Sequence, residues 1–218
     1  KLFWQTRFSQ QVMEDFRTTM RPAPFAGQLL QRPVPEEGDL IRRTWFRSIK
    51  LSEVLAMNLT WNLVLDTAYT KNTTNDPSGM LLVAKRGNDL IIRLAQRKWL
   101  EFGDLIQEIQ ELQRVYKWHK IYIEEKASGL SIAQELKRLT KFNVLPLKPK
   151  TKDKIERVKA CQPSLQAQRV ILVQDDSWNE MFLSECASFP FAVHDDLVDC
   201  LSYSVDEFLN KSGVTVFK

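Results

Sequence analysis

Three aspartates crowd the start of a helix near the C-terminal end of the chain. Residues 189–199 read FPFAVHDDLVD, and apolar residues follow at helical spacing at Leu197, Leu201, Val205 and Phe208. This spacing predicts a helix that begins at about His194 or Asp195. On such a helix Asp195 and Asp199 share a face, while Asp196 points roughly a quarter-turn away. One interpretation is a solvated helix start, where the dipole favours acids; the other is a cation site, because clustered anions repel one another.

Two further acids stand where predicted strands end. The apolar run 62–65 ends on Asp66, and the run 121–123 leads directly into Glu124 and Glu125. In α/β sheets the functional crevice lies beyond the carboxyl ends of the parallel strands, so Asp66 and Glu124 are expected to meet the Asp195 cluster. A site made only of oxygen ligands suits Mg²⁺ or Mn²⁺. Two such ions roughly 4 Å apart can clamp the attacking and leaving oxygens of a phosphoryl displacement.

The elements that must position these acids alternate between strand and helix. Strands are predicted at 62–66, at 80–84 and 90–94 (a hairpin turning at 86–89), at 121–123 and at 144–147. Helices are predicted after caps at Asp104 (with Gln107 in a capping box), at Ser131, and at Asp176 or Ser177. We expect Val115 and Leu139 to face inward. This order predicts an α/β fold with a mixed sheet flanked by helices.

The first 50 residues differ from the rest of the chain. A short helix is predicted at 9–20, and two proline-rich stretches at 21–24 and 32–35 then interrupt regular structure. The apolar residues between and after them favour an extended segment that packs on a neighbouring surface. We therefore divide the chain into an N-terminal extension, 1–50, and a main domain, 51–218.

Composition limits the classes of protein that remain. The net charge of +4 permits a nucleic-acid partner without requiring one. The three cysteines are few, widely spaced and set among apolar residues, so they are predicted to be reduced. With only two histidines a structural zinc site is not expected. No apolar run is long enough to cross a membrane, and a cytoplasmic protein is expected.

Three segments carry a resemblance to a known family. They are residues 63–69 (LVLDTAY), 121–129 (IYIEEKASG) and 189–199. Together they resemble the nuclease domain of the large terminase subunit of tailed phages or prophages. Shorter pieces fit in the same order: Asp153-Lys154 with Arg157, Arg169-Val170, Trp178 before Glu185, and the linker-like 28–33 and 37–46. The likeness covers nearly the whole chain.

The resemblance implies a ribonuclease H-like fold and a two-metal endonuclease that cuts concatemeric viral DNA during packaging, with little sequence specificity. It assigns two Mg²⁺ or Mn²⁺ ions to Asp66, as the bridging ligand, to Glu124, and to one or both of Asp195 and Asp196. For Asp199, Glu125 and His194 we expect supporting roles. The alternatives are that Asp199 is itself a ligand, that Glu125 is solvated, and that His194 only caps the helix. The implied partners are double-stranded DNA, the terminase ATPase domain, the small terminase subunit and the portal protein, met at the procapsid in the host cytoplasm.

Two departures from that family pattern stand out. No Gly-x-x-x-x-Gly-Lys-Ser/Thr loop occurs, so the packaging ATPase half is absent from these residues and a nuclease half or prophage remnant is expected. In addition, Gln168 stands before Arg169, where the family often has glycine, which puts the local turn in question.

The DNA-binding surface is predicted from lysines. Lys126 lies beside the acids, and Lys148, Lys150, Lys152 and Lys154 follow the last predicted strand. These side chains could neutralise phosphates, although an ordinary solvated lysine run has the same pattern. Two rival functions remain open: a Holliday-junction resolvase with a similar acid set, and a non-catalytic docking module for portal or small terminase subunit.

Overall fold

In a computed structural model of the chain, the described residues are 9–20, 25, 29, 40–68, 77–148, 151, 153–175 and 177–211. The strands are β1 (Arg47–Ile49), β2 (Asn62–Asp66), β3 (Ser78–Arg86), β4 (Asp89–Lys98), β5 (Lys120–Glu124), β6 (Asn143–Leu147) and β7 (Val170–Val173). The helices are α1 (Gln10–Thr19), α2 (Leu51–Leu55), α3 (Phe102–Tyr116), α4 (Ala127–Leu139), α5 (Lys154–Gln166), α6 (Asn179–Ser188) and α7 (Asp196–Val205), followed by a π-helical turn, Asp206–Asn210.

One mixed sheet holds the seven described strands in the order β1-β7-β4-β3-β2-β5-β6. Strand β3 pairs antiparallel with both β2 and β4, and the remaining pairs are parallel. The predicted hairpin is confirmed: β3 and β4 meet at a tight turn in which Gly87 has φ +59°, a value that glycine adopts at no steric cost. Strands β2 and β5 are parallel neighbours, so their carboxyl ends lie at one edge of the sheet.

Helices cover both faces of this sheet, and strand alternation decides which side chains meet which layer. Leu63, Leu65 and Ile123 pack towards α2, α3 and α4. Val64 and Tyr122 pack on the opposite face, towards α5, α6 and α7. The predicted mixed α/β architecture is thus confirmed.

Two helices begin earlier than predicted. Helix α3 starts at Phe102 with Glu101 as its N-cap, so the capping box at Asp104 and Gln107 is wrong. Phe102 packs against the core and extends the buried stripe by one turn, while Asp104 lies in the first turn, where the helix dipole favours its charge. Helix α4 starts at Ala127, directly after β5, instead of being capped by Ser131.

Two helix residues that were predicted to face inward are exposed instead. Val115 is 71% exposed and Leu139 is 49% exposed. In α3 the apolar stripe runs through Ile109 and Leu112 and ends on Tyr116, because 3.6-residue periodicity turns position 115 away from the sheet. The elements β1, α2, α5 and β7 were not predicted at all. Helix α6 starts at Asn179 with Trp178 as N-cap, and Asp176 lies outside the described residues.

The N-terminal region is described only in part. Helix α1 is confirmed, and the Ser9 hydroxyl accepts a hydrogen bond from the Val12 amide as its cap. Ile41 is buried in the core next to Trp45 and Phe46, and β1 forms the sheet edge beside β7. Residues 40–49 therefore pack on the main domain, while the division at residue 50 stays a prediction.

The three cysteines lie in the core. Cys161, Cys186 and Cys200 are buried, and none of the three forms a disulfide bond. Within the described part of the chain, no helix combines the length and the apolar character needed to span a bilayer.

Candidate metal and nuclease site

Asp66 and Glu124 end the adjacent parallel strands β2 and β5. The register pairs Leu65 with Ile123, so the two acids are the next pair along. By alternation both side chains point to the face covered by α7, because Val64 and Tyr122 do so two residues earlier. Both acids are buried, with 6% and 4% of their surface exposed. The predicted meeting of these two strand-end acids follows from the register.

Helix α7 brings the third set of acids against these strand ends. Asp195 is its N-cap, so the predicted helix start is confirmed. Asp199 is 2% exposed and Asp196 is 7% exposed, whereas the side chain of Asp195 is 38% exposed. Burial raises the pKa of Asp66 well above its usual value, and Glu124 and Asp199 raise it further although Lys126 opposes them. Asp66, Glu124 and Asp199 are thus three buried carboxylates, and the charges of Glu124 and Asp199 act on Asp66.

Two lysine ammonium groups lie between these acids. Lys126 Nζ lies 3.2 Å from Asp66 Oδ1 and also pairs with Glu124 Oε2. Lys154 Nζ lies 2.7 Å from Asp195 Oδ1 and 2.8 Å from Asp199 Oδ2. Burial alone would lower the pKa of each lysine, but these carboxylates outweigh it and the pKa of both is raised. Each ammonium therefore stays charged and offsets the repulsion within the acid cluster.

Helix α5 supplies the second layer around Asp199. Its N-cap, Asp153, accepts hydrogen bonds from the Ile155 and Glu156 amides, and this fixes the helix start that carries Lys154. Arg157, one turn on, pairs with Asp199 Oδ1 and lies 5.2 Å over the Tyr203 ring. Burial, and then the charge of Asp199, raise the pKa of Tyr203. Asp199 is consequently held by two cations from one helix.

The end of β5 is fixed by the start of α4. A Cβ on Gly129 would lie 2.0 Å from the main-chain oxygen of Glu124, so only glycine permits this close approach. Ser128 Oγ donates a 2.7 Å hydrogen bond to the Thr67 carbonyl and receives one from Thr67 Oγ1 at 3.1 Å. These contacts tie the main-chain oxygen of Glu124 and the residue after Asp66 to the first turn of α4.

The other residues predicted for the site are spread around this centre. Asp196 lies over Gly79 and beside Glu185. His194 packs edge-on against Trp99, with ring centroids 5.4 Å apart. Glu125 pairs with the exposed Lys148 at 3.2 Å. Lys150 and Lys152 lie outside the described residues, and DNA contacts by any of the lysines stay predictions.

The donor set suits a hard divalent cation. It offers carboxylate oxygens only, which Mg²⁺ and Mn²⁺ prefer, and the raised pKa of Asp66 reflects burial among other acids that positive charge would relieve. Among the described residues, no group of three or more Asp, Glu, His or Cys side chains is arranged to hold a metal ion. The ammonium groups of Lys126 and Lys154 lie in the spaces between the acids.

Sequence reasoning missed the contacts that hold α7 in place. Glu185 Oε1 accepts hydrogen bonds from the Leu197 amide at 2.7 Å and the Val198 amide at 3.2 Å, and Arg97 Nη1 donates to Glu185 Oε2 at 2.6 Å. The only signal in the sequence was Glu185 as part of a family resemblance, because a cap supplied by another helix leaves no local pattern.

A mixed sheet with acids at the ends of two parallel strands and a third set on the last helix defines the class of ribonuclease H-like nuclease folds. The model of the terminase RNase H-like domain family matches residues 63–208, more than half of the 218 residues. The chain belongs to this family. The resemblance inferred from the sequence is confirmed, and the family gives the chain a nuclease role in DNA packaging.

Solved structures share the fold at low sequence identity. The large terminase nuclease of thermophilic phage G20c, determined with bound zinc, is 18% identical with a TM-score of 0.55, covering 69% of this chain and 82% of that chain. A human cytomegalovirus terminase nuclease domain, manganese-soaked and inhibitor-bound, is 14% identical with a TM-score of 0.55, covering 76% and 93%.

A longer protein matches as well. The large terminase of a thermophilic bacteriophage, in complex with ADP, is 13% identical with a TM-score of 0.58, covering 94% of this chain and 53% of that chain. No curated protein matches the chain.

Proposed function

We propose that the chain is a divalent-metal-dependent endonuclease that hydrolyses phosphodiester bonds of double-stranded DNA with two metal ions and little sequence specificity. The observation that carries this proposal is the convergence of Asp66, Glu124 and Asp199, three buried carboxylates from three separate elements. Burying like charges together is costly unless cations offset it. Membership of a nuclease family offers a reason for such a cluster, because its acids would bind the metal ions.

The ligands we propose are Asp66, Glu124 and Asp199, with Asp195 at the open rim as a further donor. This differs from the sequence-based assignment, which favoured Asp195 and Asp196 and gave Asp199 a supporting role. Asp199 is the α7 acid whose charge raises the pKa of Asp66, whereas Asp196 acts on Glu185. Asp66 remains the proposed bridging ligand, because its strand, β2, lies beside β5 with Glu124 and is covered by α7 with Asp199.

Bound metal would supply an activated water nucleophile and stabilise charge on the leaving oxygen. The protein's own groups would orient the ligands and screen the phosphate. Arg157 holds one oxygen of Asp199 through a charge-assisted hydrogen bond, which fixes the direction of the other. Lys126 and Lys154 are 47% and 41% exposed, so both can turn from the acids towards a DNA phosphate.

The wider setting is proposed from the family. We infer that the substrate is concatemeric viral DNA, cut at the procapsid in the host cytoplasm. The ADP complex of the longer bacteriophage terminase supports an ATPase domain as a partner of this nuclease. A small terminase subunit and a portal protein complete the proposed set.

The test is cleavage of supercoiled plasmid by this chain with Mg²⁺, Mn²⁺, Ca²⁺ or chelator. We expect nicked and linear products with Mg²⁺ or Mn²⁺ and none with chelator, and we expect Asp66→Asn to remove them. Asp89→Asn, a carboxylate paired with Arg47 away from the acids, is the matched control. Cleavage that persists in chelator or in Asp66→Asn would refute the metal mechanism, and a junction substrate cut in preference to duplex would favour the resolvase.

A further inference from the structure

One row of residues crosses three strands of the sheet and joins the acid site to a buried ion pair. Asp66 on β2 pairs in register with Gly79 on β3, and Gly79 pairs with Arg97 on β4. Residues directly opposite one another across a sheet point to the same face. Asp66 and Arg97 therefore both face α7, two strands apart, with Gly79 between them.

The middle of the row is where α7 touches the sheet. A Cβ on Gly79 would lie 2.7 Å from the main-chain oxygen of Asp196 and 3.0 Å from its Cβ. These contacts are with the backbone and the base of a side chain, so they cannot be relieved by rotating a flexible group. The first residue of α7 therefore rests directly on the row that carries Asp66.

At the other end of the row, Arg97 is linked through Glu185 to the start of α7. Arg97 pairs with Glu185, whose side chain is 3% exposed. The other oxygen of Glu185 accepts from the amides of Leu197 and Val198, two of the donors that a helix start leaves without an intrahelical partner. Glu185 thus acts as an N-cap delivered from α6, since Asp195 makes no side-chain capping bond.

We propose that Glu185, anchored by Arg97, is a positioning residue that sets where α7 lies along the sheet and therefore where Asp199 stands relative to Asp66. All ten residues of α7 are buried, and the packing of the apolar ones among them, such as Leu197 and Leu201, keeps the helix on the sheet. Packing alone is non-directional, whereas two hydrogen bonds from one fixed carboxylate specify the helix start. The inference rests on the proposed function only in taking Asp199 as a metal ligand.

Two substitutions separate the cap from its anchor. Glu185→Gln keeps one acceptor oxygen for the helix start, but its amide nitrogen is a donor and cannot accept the hydrogen bond from Arg97. Glu185→Asp keeps both acceptor oxygens and the charge, but is one methylene too short to hold both Arg97 and the helix start. Glu180→Gln is the matched control on the same helix, because its carboxylate is 76% exposed and pairs with Arg43. Ile109→Val, on the opposite sheet face, controls for lost stability alone.

The first readout needs no metal. Amide hydrogen exchange at Leu197 and Val198, measured in chelator, is expected to be faster by tenfold or more in Glu185→Asp. It is expected to be faster by a smaller factor in Glu185→Gln, which keeps the acceptor for the helix start and loses the Arg97 anchor. Wild-type protection in Glu185→Asp would overturn the positioning role. So would equal acceleration in Ile109→Val, because that would trace the effect to stability.

The second readout is Mn²⁺ affinity by calorimetry. We expect about tenfold weaker binding in Glu185→Asp, a smaller loss in Glu185→Gln, and no change in the two controls. Unchanged affinity in Glu185→Asp would overturn the link between the cap and the ligands. If wild type binds no Mn²⁺, the proposed function fails, and the exchange measurement still decides the positioning role.

Discussion

The ammonium group of Lys126 lies 3.2 Å from Asp66 Oδ1 and contacts Glu124 as well. Lys126 comes two residues after Glu124, and its side chain thus folds back between the carboxylates of Asp66 and Glu124. The chain carries its own counter-charge for the pair, and a divalent ion that binds both acids must displace it or share them with it. Metal binding and this ion pair are therefore expected to compete.

Lys126→Met is expected to tighten Mn²⁺ binding, because it removes the competing cation and keeps the alkyl stem. Without metal, the same variant should lose about 1–2 kcal/mol of unfolding free energy, since two buried carboxylates lose a partially exposed partner. Calorimetry and urea unfolding in chelator check the two effects. The control is Lys148→Met, which breaks the exposed pair with Glu125. Weaker Mn²⁺ binding in Lys126→Met would contradict the competition.

Gly79→Ala is expected to disturb the site through the backbone of α7. The added Cβ would lie 2.7 Å from Asp196 O, so the helix must move off the sheet, at a cost of about 1–3 kcal/mol. Cleavage should fall with it, because Asp199 moves relative to Asp66. The matched control is Gly103→Ala in α3, where an added Cβ meets nothing within 4 Å. If Gly79→Ala keeps wild-type stability and activity, the close seating of α7 is wrong.

The sequence predicted which acids belong to the candidate site, but not which of the α7 acids are buried there. Strand periodicity placed Asp66 and Glu124 at strand ends, and parallel pairing brings such ends together. For the last helix, periodicity shows that Asp195 and Asp199 share a face but not which face turns to the sheet. That choice depends on how α7 packs between the sheet and its neighbouring helices, so the burial of Asp199 and the exposure of Asp195 emerged only from the fold.

Contacts between separate elements could not be predicted from the sequence, for the same reason. Glu185 caps a helix eleven residues further on, and its partner Arg97 comes from β4. The strand β7 was missed because the short run 170–173 has no alternation and cannot be told from a helix segment by periodicity. Local patterns therefore gave the architecture and most of the candidate ligands, and the contacts between elements that orient them were missed.

Gln168 stands in a backbone conformation that favours glycine. Its φ is +53°, in the left-handed region that costs a non-glycine residue about 1 kcal/mol or more. Gln168 Nε2 also donates to the Thr44 carbonyl at 3.0 Å, which offsets part of that cost. Gln168→Gly is expected to be about 1 kcal/mol more stable than Gln168→Ala, since both lose the bond and only glycine loses the strain. Equal thermal unfolding of the two variants would contradict this.

Glu185 should give the stability of the protein a distinct pH dependence. Burial raises its pKa from the ordinary 4.5 to about 7, although Arg97 and two backbone amides oppose the shift. Between these values the folded chain holds a proton that the unfolded chain has released, so the unfolding free energy falls as pH rises. The contribution is complete below about pH 4.5 and is lost as pH approaches 7. Glu185→Gln has no such proton, so the wild type should lose on the order of 2–3 kcal/mol relative to it across this window. Urea unfolding of both proteins in chelator at half-unit pH steps measures the difference, and parallel profiles would show that Glu185 is ionised throughout.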